Sequence, residues 1–214
     1  MTGLHKIHGM TRLLIRGGNI AAGCGVERGY ANSIRDWCSE RGIEFINCSR
    51  PGENSFDAVR SFPDDIALFK PDILIIHFGL DDAFGCVYKS EFKENLVQLV
   101  RRSRELFHPI IIMPTSQSFE SLYYMQPAYF YYQIIRDVCG DLGCEMVPVH
   151  AHWNALIIEK GLKHSDLVQD NVLYPNERSH EIFAEALIQK LEQILSGRRR
   201  KEDQQYQGRF KKIF

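Results

Sequence analysis

Residues able to do chemistry collect in four short stretches of the chain, three of them glycine-bearing. Gly17–Tyr30 (GGNIAAGCGVERGY) carries a carboxamide at Asn19 and a thiol at Cys24, and Ser49–Asp57 (SRPGENSFD) carries Gly52. Phe78–Gly85 (FGLDDAFG) holds the adjacent acids Asp81 and Asp82, and Asp170–His180 (DNVLYPNERSH) holds Asp170, Leu173, Tyr174 and His180. Asp81, Asp82 and Asp170 on one cleft would make an oxygen-rich site of the kind that binds Mg²⁺ or Ca²⁺. The same crowding would raise one carboxyl's pKa and suit it to acid or base work. Two acids adjacent in sequence can instead point apart, with Asp82 capping backbone.

A Cys24 thiolate would be a competent nucleophile, but no histidine partner for it can be identified. His180 opens the last predicted helix and reads as structural or capping. His77, at the end of a strand, reads as a satisfied core residue. In His150-Ala151-His152 the two imidazoles would point to opposite faces if the strand continued, which argues against a shared metal. No metal and no cofactor is expected. A fifth stretch, Phe119–Tyr132 (FESLYYMQPAYFYY), contains seven aromatics. Tyr123 and Tyr124 there offer apolar area with a polar handle, suited to a sugar or acyl chain and equally to a protein surface.

These stretches need a scaffold that brings them together. Short apolar runs read as strands at Thr11–Arg16, Glu44–Ser49, Asp72–Phe78, Pro109–Pro114 and Glu145–His150. They lack in–out alternation, the pattern of strands covered on both faces of a parallel sheet. Between them lie helical patterns at about 27–41, 55–68, 90–107, 126–142 and 151–162, with a last one at about 179–196. The last carries Phe183, Leu187, Leu191 and Ile194 on one stripe. Five β-α units with right-handed crossovers predict an α/β/α three-layer sandwich on a five-stranded parallel sheet, flavodoxin-like in plan. In such sheets ligands bind beyond the carboxyl ends of the strands, which is where the four stretches fall.

In that order, the four segments resemble the blocks of the SGNH (GDSL) hydrolase superfamily, over about residues 11–196. The resemblance implies a serine nucleophile in Gly-Asp-Ser after the first strand. It also implies oxyanion donors from a glycine after the second strand and from the asparagine of Gly-x-Asn-Asp after the third. An Asp-x-x-His near the C-terminus would complete the triad. Those positions fall here on Asn19, Gly52, Asp81, and Asp170 with Leu173, or with Tyr174 if Pro175-Asn176 is the anchor.

Three of these five positions carry side chains of the wrong kind, and Gly-Asp-Ser occurs nowhere in the chain. Imidazole cannot deprotonate a carboxamide into a useful nucleophile. An ionised Asp81 accepts hydrogen bonds and cannot donate one to an oxyanion. Neither Leu nor Tyr serves as an ordinary base near neutral pH. The expectation is a pseudoenzyme: a binding, scaffold or regulatory protein holding a small ester, sugar or lipid-like ligand. Its expected lining is Asn19, Gly52, Asp81, Asp82, Tyr123, Tyr124, Asp170 and Tyr174. The alternatives are a biosynthetic enzyme using Asp81, Asp82, Asp170 or Tyr174 in acid/base chemistry, and an esterase or acyltransferase that survives a shifted alignment.

Composition bounds the rest. The chain has 214 residues, 44% of them hydrophobic and 25% charged, enough for a full core in one domain. The net charge of −1 conceals a split. Residues 1–197, the SGNH-like domain, carry −6, and Arg198–Phe214 (RRRKEDQQYQGRFKKIF) carries +5 from seven basic and two acidic residues. This second segment reads as a flexible basic tail open to a protein or acidic partner. No run approaches the ~20 apolar residues of a membrane helix, and the N-terminus shows no signal-peptide pattern. Six cysteines without a CxxC pair then read as reduced, and the location as cytoplasmic.

Overall fold

The computed structural model describes the backbone of residues 11–210 and the side chains of residues 11–197. The predicted strands pair in parallel: β1 (Arg12–Gly17), β2 (Glu44–Asn47), β3 (Ile73–His77), β4 (Ile110–Pro114) and β5 (Glu145–Val147), in the order β2-β1-β3-β4-β5. The helices are α1 (Asn19–Ala22), α2 (Tyr30–Ser39), α3 (Ser55–Arg60), α4 (Leu80–Phe84), α5 (Lys89–Leu106), α6 (Leu122–Leu142), α7 (Val149–Lys160) and α8 (Glu177–Phe210).

Strand residues are apolar without alternation because each face has its own cover. Leu13, Ile15, Ile73 and Ile75 pack with Tyr30 and Ile34 of α2 and with Phe183, Leu187 and Leu191 of α8. Leu14, Leu74 and Ile76 pack on the other face with Leu96 and Leu99 of α5 and Ile135 of α6. Each such side chain, buried in full, contributes about 1.5–3 kcal/mol. The expected three layers therefore rest on two cores that share one sheet.

Element boundaries moved where local chemistry overrides the pattern. The strand predicted to reach His150 ends at Val147, because Pro148 has no N–H for the ladder and stands as the N-cap of α7. His150 and His152 consequently sit in the first turn of a helix and not on opposite faces of a strand. The helix predicted over 55–68 breaks after Arg60, and a π-turn, Pro63–Ala67, follows. In the other direction, α6 begins at Leu122 and runs through Pro127, near enough its amino end to lose only one hydrogen bond. The aromatic stretch is therefore largely helical. The backbone of α8 continues to Phe210, past the expected end at about 196. Arg, Lys, Glu and Gln in that segment are good helix formers without needing a core. The side chains of the basic segment, and its last four residues, lie outside the described residues.

Strand order reverses between β1 and β3, so the segments leaving their carboxyl ends turn to opposite faces and open a crevice. The register pairs Gly17 with His77 at the top of these two strands. Whatever follows Gly17 must therefore meet whatever follows His77.

Candidate functional site

The meeting is close, and glycine makes it possible. A Cβ on Gly18 would overlap Asp81 Oδ2 and the Glu53 carbonyl oxygen, and one on Gly17 would stand 2.6 Å from the His77 carbonyl oxygen. With no side chains there, α1 and α4 start side by side, bringing Asn19 against Asp81. The Asn19 backbone N–H donates to Asp81 Oδ2 at 3.0 Å, and its Nδ2 donates to Asp81 Oδ1 at 2.5 Å. Its Oδ1 accepts from the Gly52 N–H at 2.8 Å and from the Cys24 thiol at 3.4 Å. These partners fix the amide orientation, since a carboxylate must face the NH₂ and an N–H must face the oxygen. Gly52 reaches this point in a left-handed turn, φ +76°, that favours glycine.

Electrostatics follow from this packing. Burial raises the Asp81 carboxyl to about 6, with the Asn19 hydrogen bonds opposing the shift and the Asp82 charge adding to it. Near neutral pH Asp81 is still mostly a carboxylate. Burial pushes the Cys24 thiol up, and the Asp81 charge pushes it further. Cys24 is thus held as a thiol, the opposite of what a nucleophile needs.

The other predicted residues divide. Asp82 turns away: its Oδ1 accepts from the Ser55 N–H at 3.0 Å and the Ser55 hydroxyl at 2.5 Å, and its Oδ2 accepts from the Gly79 N–H at 3.0 Å. It is a fully buried tie between α3 and α4. Leu173 packs on the apolar core, and Gln117 Nε2 donates to its carbonyl at 2.8 Å. Tyr174 shares the surroundings of the crevice: its hydroxyl is raised by burial and then by the charge of Asp81. Asp170 is exposed and lines a cavity of about 500 Å³ together with Phe119, Glu120, Tyr124, His164 and Gln169. Tyr123 is 77% exposed and packs edge-on against Tyr124. Asn19, Gly52 and Asp81 therefore converge, with Tyr174 beside them, while Asp82 and Leu173 serve the fold. Among the described residues, no group of three His, Cys, Asp or Glu could hold a metal ion.

Cavity and crevice are joined. Gln169 Nε2 donates to the Cys24 carbonyl at 2.9 Å, and Phe84 of α4 packs on both Phe119 and Tyr124.

His77 and His180 are structural. Tyr30 OH and His77 Nδ1 stand 2.8 Å apart, and the Tyr30 N–H, first in α2, donates to His180 Nδ1 at 3.2 Å. Burial lowers His77 to about 3 and His180 to about 4, so both are neutral. His150 Nδ1 lies 2.8 Å from the buried Thr115 hydroxyl.

One feature escaped the sequence reading. Arg16, wholly buried at the end of β1, pairs with Glu53 and with Asp65 at 3.0 Å. Asp65 in turn takes two hydrogen bonds from Arg50, next to Pro51-Gly52. This ion cluster sets the turn that aims the Gly52 N–H. Its only sequence signal was a lone arginine in an apolar strand.

Comparison with known proteins agrees with this fold. The model of the GDSL-like Lipase/Acylhydrolase family matches residues 17–182. An uncharacterized lipoprotein, YqeF, of Bacillus subtilis (strain 168) is 30% identical over 167 residues, 64% of this chain and 68% of that protein. An acetylxylan esterase from Geobacillus stearothermophilus superposes with TM-score 0.73 at 22% identity, over 84% of this chain and 93% of that one. A lipase/acylhydrolase from Enterococcus faecalis gives TM-score 0.71 at 16% identity, over 85% and 95%. Among the described residues no helix is long and apolar enough to cross a membrane.

Proposed function

We propose, since the chain belongs to the GDSL-like lipase/acylhydrolase family, that it keeps the family's crevice for binding and has given up the acyl-serine route. The observation that carries this reading is the Asn19 carboxamide, which spans Asp81 and the Gly52 N–H. A donor suited to an oxyanion is already taken by a neutral carbonyl of the protein itself. The second oxyanion position holds a carboxylate, which repels developing negative charge. The carboxamide N–H is too weak an acid for an imidazole to deprotonate, and its nitrogen is a poor nucleophile.

The ligand in this reading is a small ester, sugar or lipid-like molecule in the cavity beside the crevice, walled by Phe119 and Tyr124. The acetylxylan esterase of like fold favours a carbohydrate. The role is binding, scaffold or regulatory, and the location is cytoplasmic. The basic segment Arg198–Phe214, distinct from the domain of residues 1–197, is the arm for a protein or acidic partner.

A fluorophosphonate probe and p-nitrophenyl acetate test the first half. Labelling and turnover are expected at the level of heat-denatured protein. Calorimetry with small saccharides tests the second half: saturable binding is expected, weakened about tenfold or more by Tyr124→Ala. Robust labelling that the ester competes away would overturn the reading.

A second reading has one observation in its favour, the Asp81 carboxyl raised to about 6 by burial beside Tyr174. A buried carboxyl poised there could act as a general base in a non-hydrolytic biosynthetic step. Activity of that kind would rise with pH through about 6, as Asp81 ionises, and the Asp81→Asn variant would lose it at every pH. A rate independent of pH from 5 to 7, or retained in that variant, excludes it.

A further inference from the structure

From the cavity that Asp170 lines, we infer that the bound molecule carries a positively charged organic ammonium group. This inference rests on the reading that the cavity binds a ligand, and it names the chemistry that the walls select. The charged side chains among the described lining residues are Glu120 and Asp170, both acidic, and neither arginine nor lysine is present there. The apolar lining is Phe119 and Tyr124 with Val168 and Val172. Tyr124 stands 6.0 Å from Phe119, ring centre to ring centre, and is backed by Phe84 and Tyr123, which pack on it at 5.9 and 5.0 Å without lining the cavity. Carboxylates beside aromatic faces suit an ammonium, which is attracted to both the charge and the ring quadrupole.

The remaining polar groups fit the same guest. His164 is biased toward its neutral form by burial, with the Glu120 charge opposing that effect. Trp153 Nε1 donates to its Nδ1 at 3.4 Å, which places the imidazole proton on Nε2, and burial lowers its pKa. The amino end of α6 also opens here, a place where an anion might be expected. Three N–H groups of its first turn are already used: that of Tyr123 on the Ser121 hydroxyl, and those of Tyr124 and Met125 on the Ser121 carbonyl. Gln169 is committed as well, its Nε2 donating to the carbonyls of Cys24 and Pro175. A carboxylate or phosphate ligand would meet two acids and, among the described lining residues, hydroxyls such as those of Ser121 and Ser165 but no arginine or lysine. An ammonium finds two acids and the rings of Phe119 and Tyr124.

Two sources share this chemistry, an amino sugar and a choline-type headgroup. Calorimetry on the full chain with four probes separates them from each other and from neutral guests. Glucosamine is compared with glucose, and choline with its uncharged isostere 3,3-dimethylbutanol. Trp153 fluorescence is followed alongside, because its indole is hydrogen-bonded to the cavity wall.

At least one cation is expected to bind about tenfold or more tightly than its neutral partner at low salt. The ratio should fall toward unity in the Glu120→Gln/Asp170→Asn double variant, whose two sites are exposed and whose fold is checked by melting temperature. The tighter cation names the source. Equal or tighter binding of the neutral partners overturns the inference and leaves the cavity as a binding site. Saturation by none of the four overturns it too, and the non-hydrolytic reading is then judged by the fluorophosphonate result alone.

Discussion

The triple variant Asn19→Ser/Asp81→Asn/Tyr174→His is expected to hydrolyse p-nitrophenyl acetate about tenfold or more faster than the parent chain. The double variants Asn19→Ser/Tyr174→His and Asn19→Ser/Leu173→His, which keep Asp81, should remain at background. Each change answers one feature of the geometry. Removing the Asn19 carboxamide frees the Gly52 N–H that its Oδ1 now occupies at 2.8 Å. Removing the Asp81 charge replaces an acceptor by a donor where an oxyanion would form, and one such donor is typically worth about 10²–10³ in rate. A histidine at 174 stands where the present side chain already feels the Asp81 charge.

The gain should stay well below that of a complete triad. Asp170 is exposed in the cavity, and it precedes Tyr174 by four residues and not three. The imidazole would therefore lack its usual orienting acid. Position 173 is the poorer choice because Leu173 packs on the core and its carbonyl is held by Gln117. Initial rates at equal concentrations of folded protein provide the measurement. A double variant that retains Asp81 and matches the triple would sink the oxyanion argument.

How much of this was legible beforehand depends on how local each signal is. The strands were readable because Leu13–Ile15 and Ile73–Ile76 are apolar on both faces, which a parallel sheet requires. The identities of Asn19 and Asp81 were readable as losses of chemistry. Their mutual clamp was not, because it depends on the Gly17–His77 register and on the absence of a side chain at Gly18. Arg16 shows the limit most clearly, since its partner Glu53 lies 37 residues away and no periodicity connects the two. The choice between Leu173 and Tyr174 turned on a tight turn, with the Tyr174 N–H on the Asn171 carbonyl at 2.9 Å. Counting from Asp170 cannot register such a turn.

Asp82 provides the sharpest test that adjacent acids have separate jobs. The Asp82→Ala variant is expected to lose about 3–5 kcal/mol of stability, since three buried donors lose their acceptor at about 1–3 kcal/mol each with partial relaxation. For a chain of this size that is roughly 6–20 °C in melting temperature. Ser55 and Gly79 would lose the carboxylate that joins α3 to α4, and Asn95, whose Nδ2 donates to Ser55 Oγ at 2.9 Å, would lose its anchored partner. The Asp82→Asn variant should cost only about 1–3 kcal/mol, because its oxygen can still serve Ser55 while its NH₂ faces the Gly79 N–H. The pH dependence separates charge from shape. Burial raises the Asp82 pKa, so the folded chain holds that proton more tightly than the unfolded one. The native protein therefore loses stability as pH rises through that raised pKa, and Asp82→Asn should lack this part of the decline. Thermal melts of the three proteins across pH 4–8 read both effects. An alanine variant within about 1 kcal/mol of the parent would mean that Asp82 does not tie the crevice's helices together.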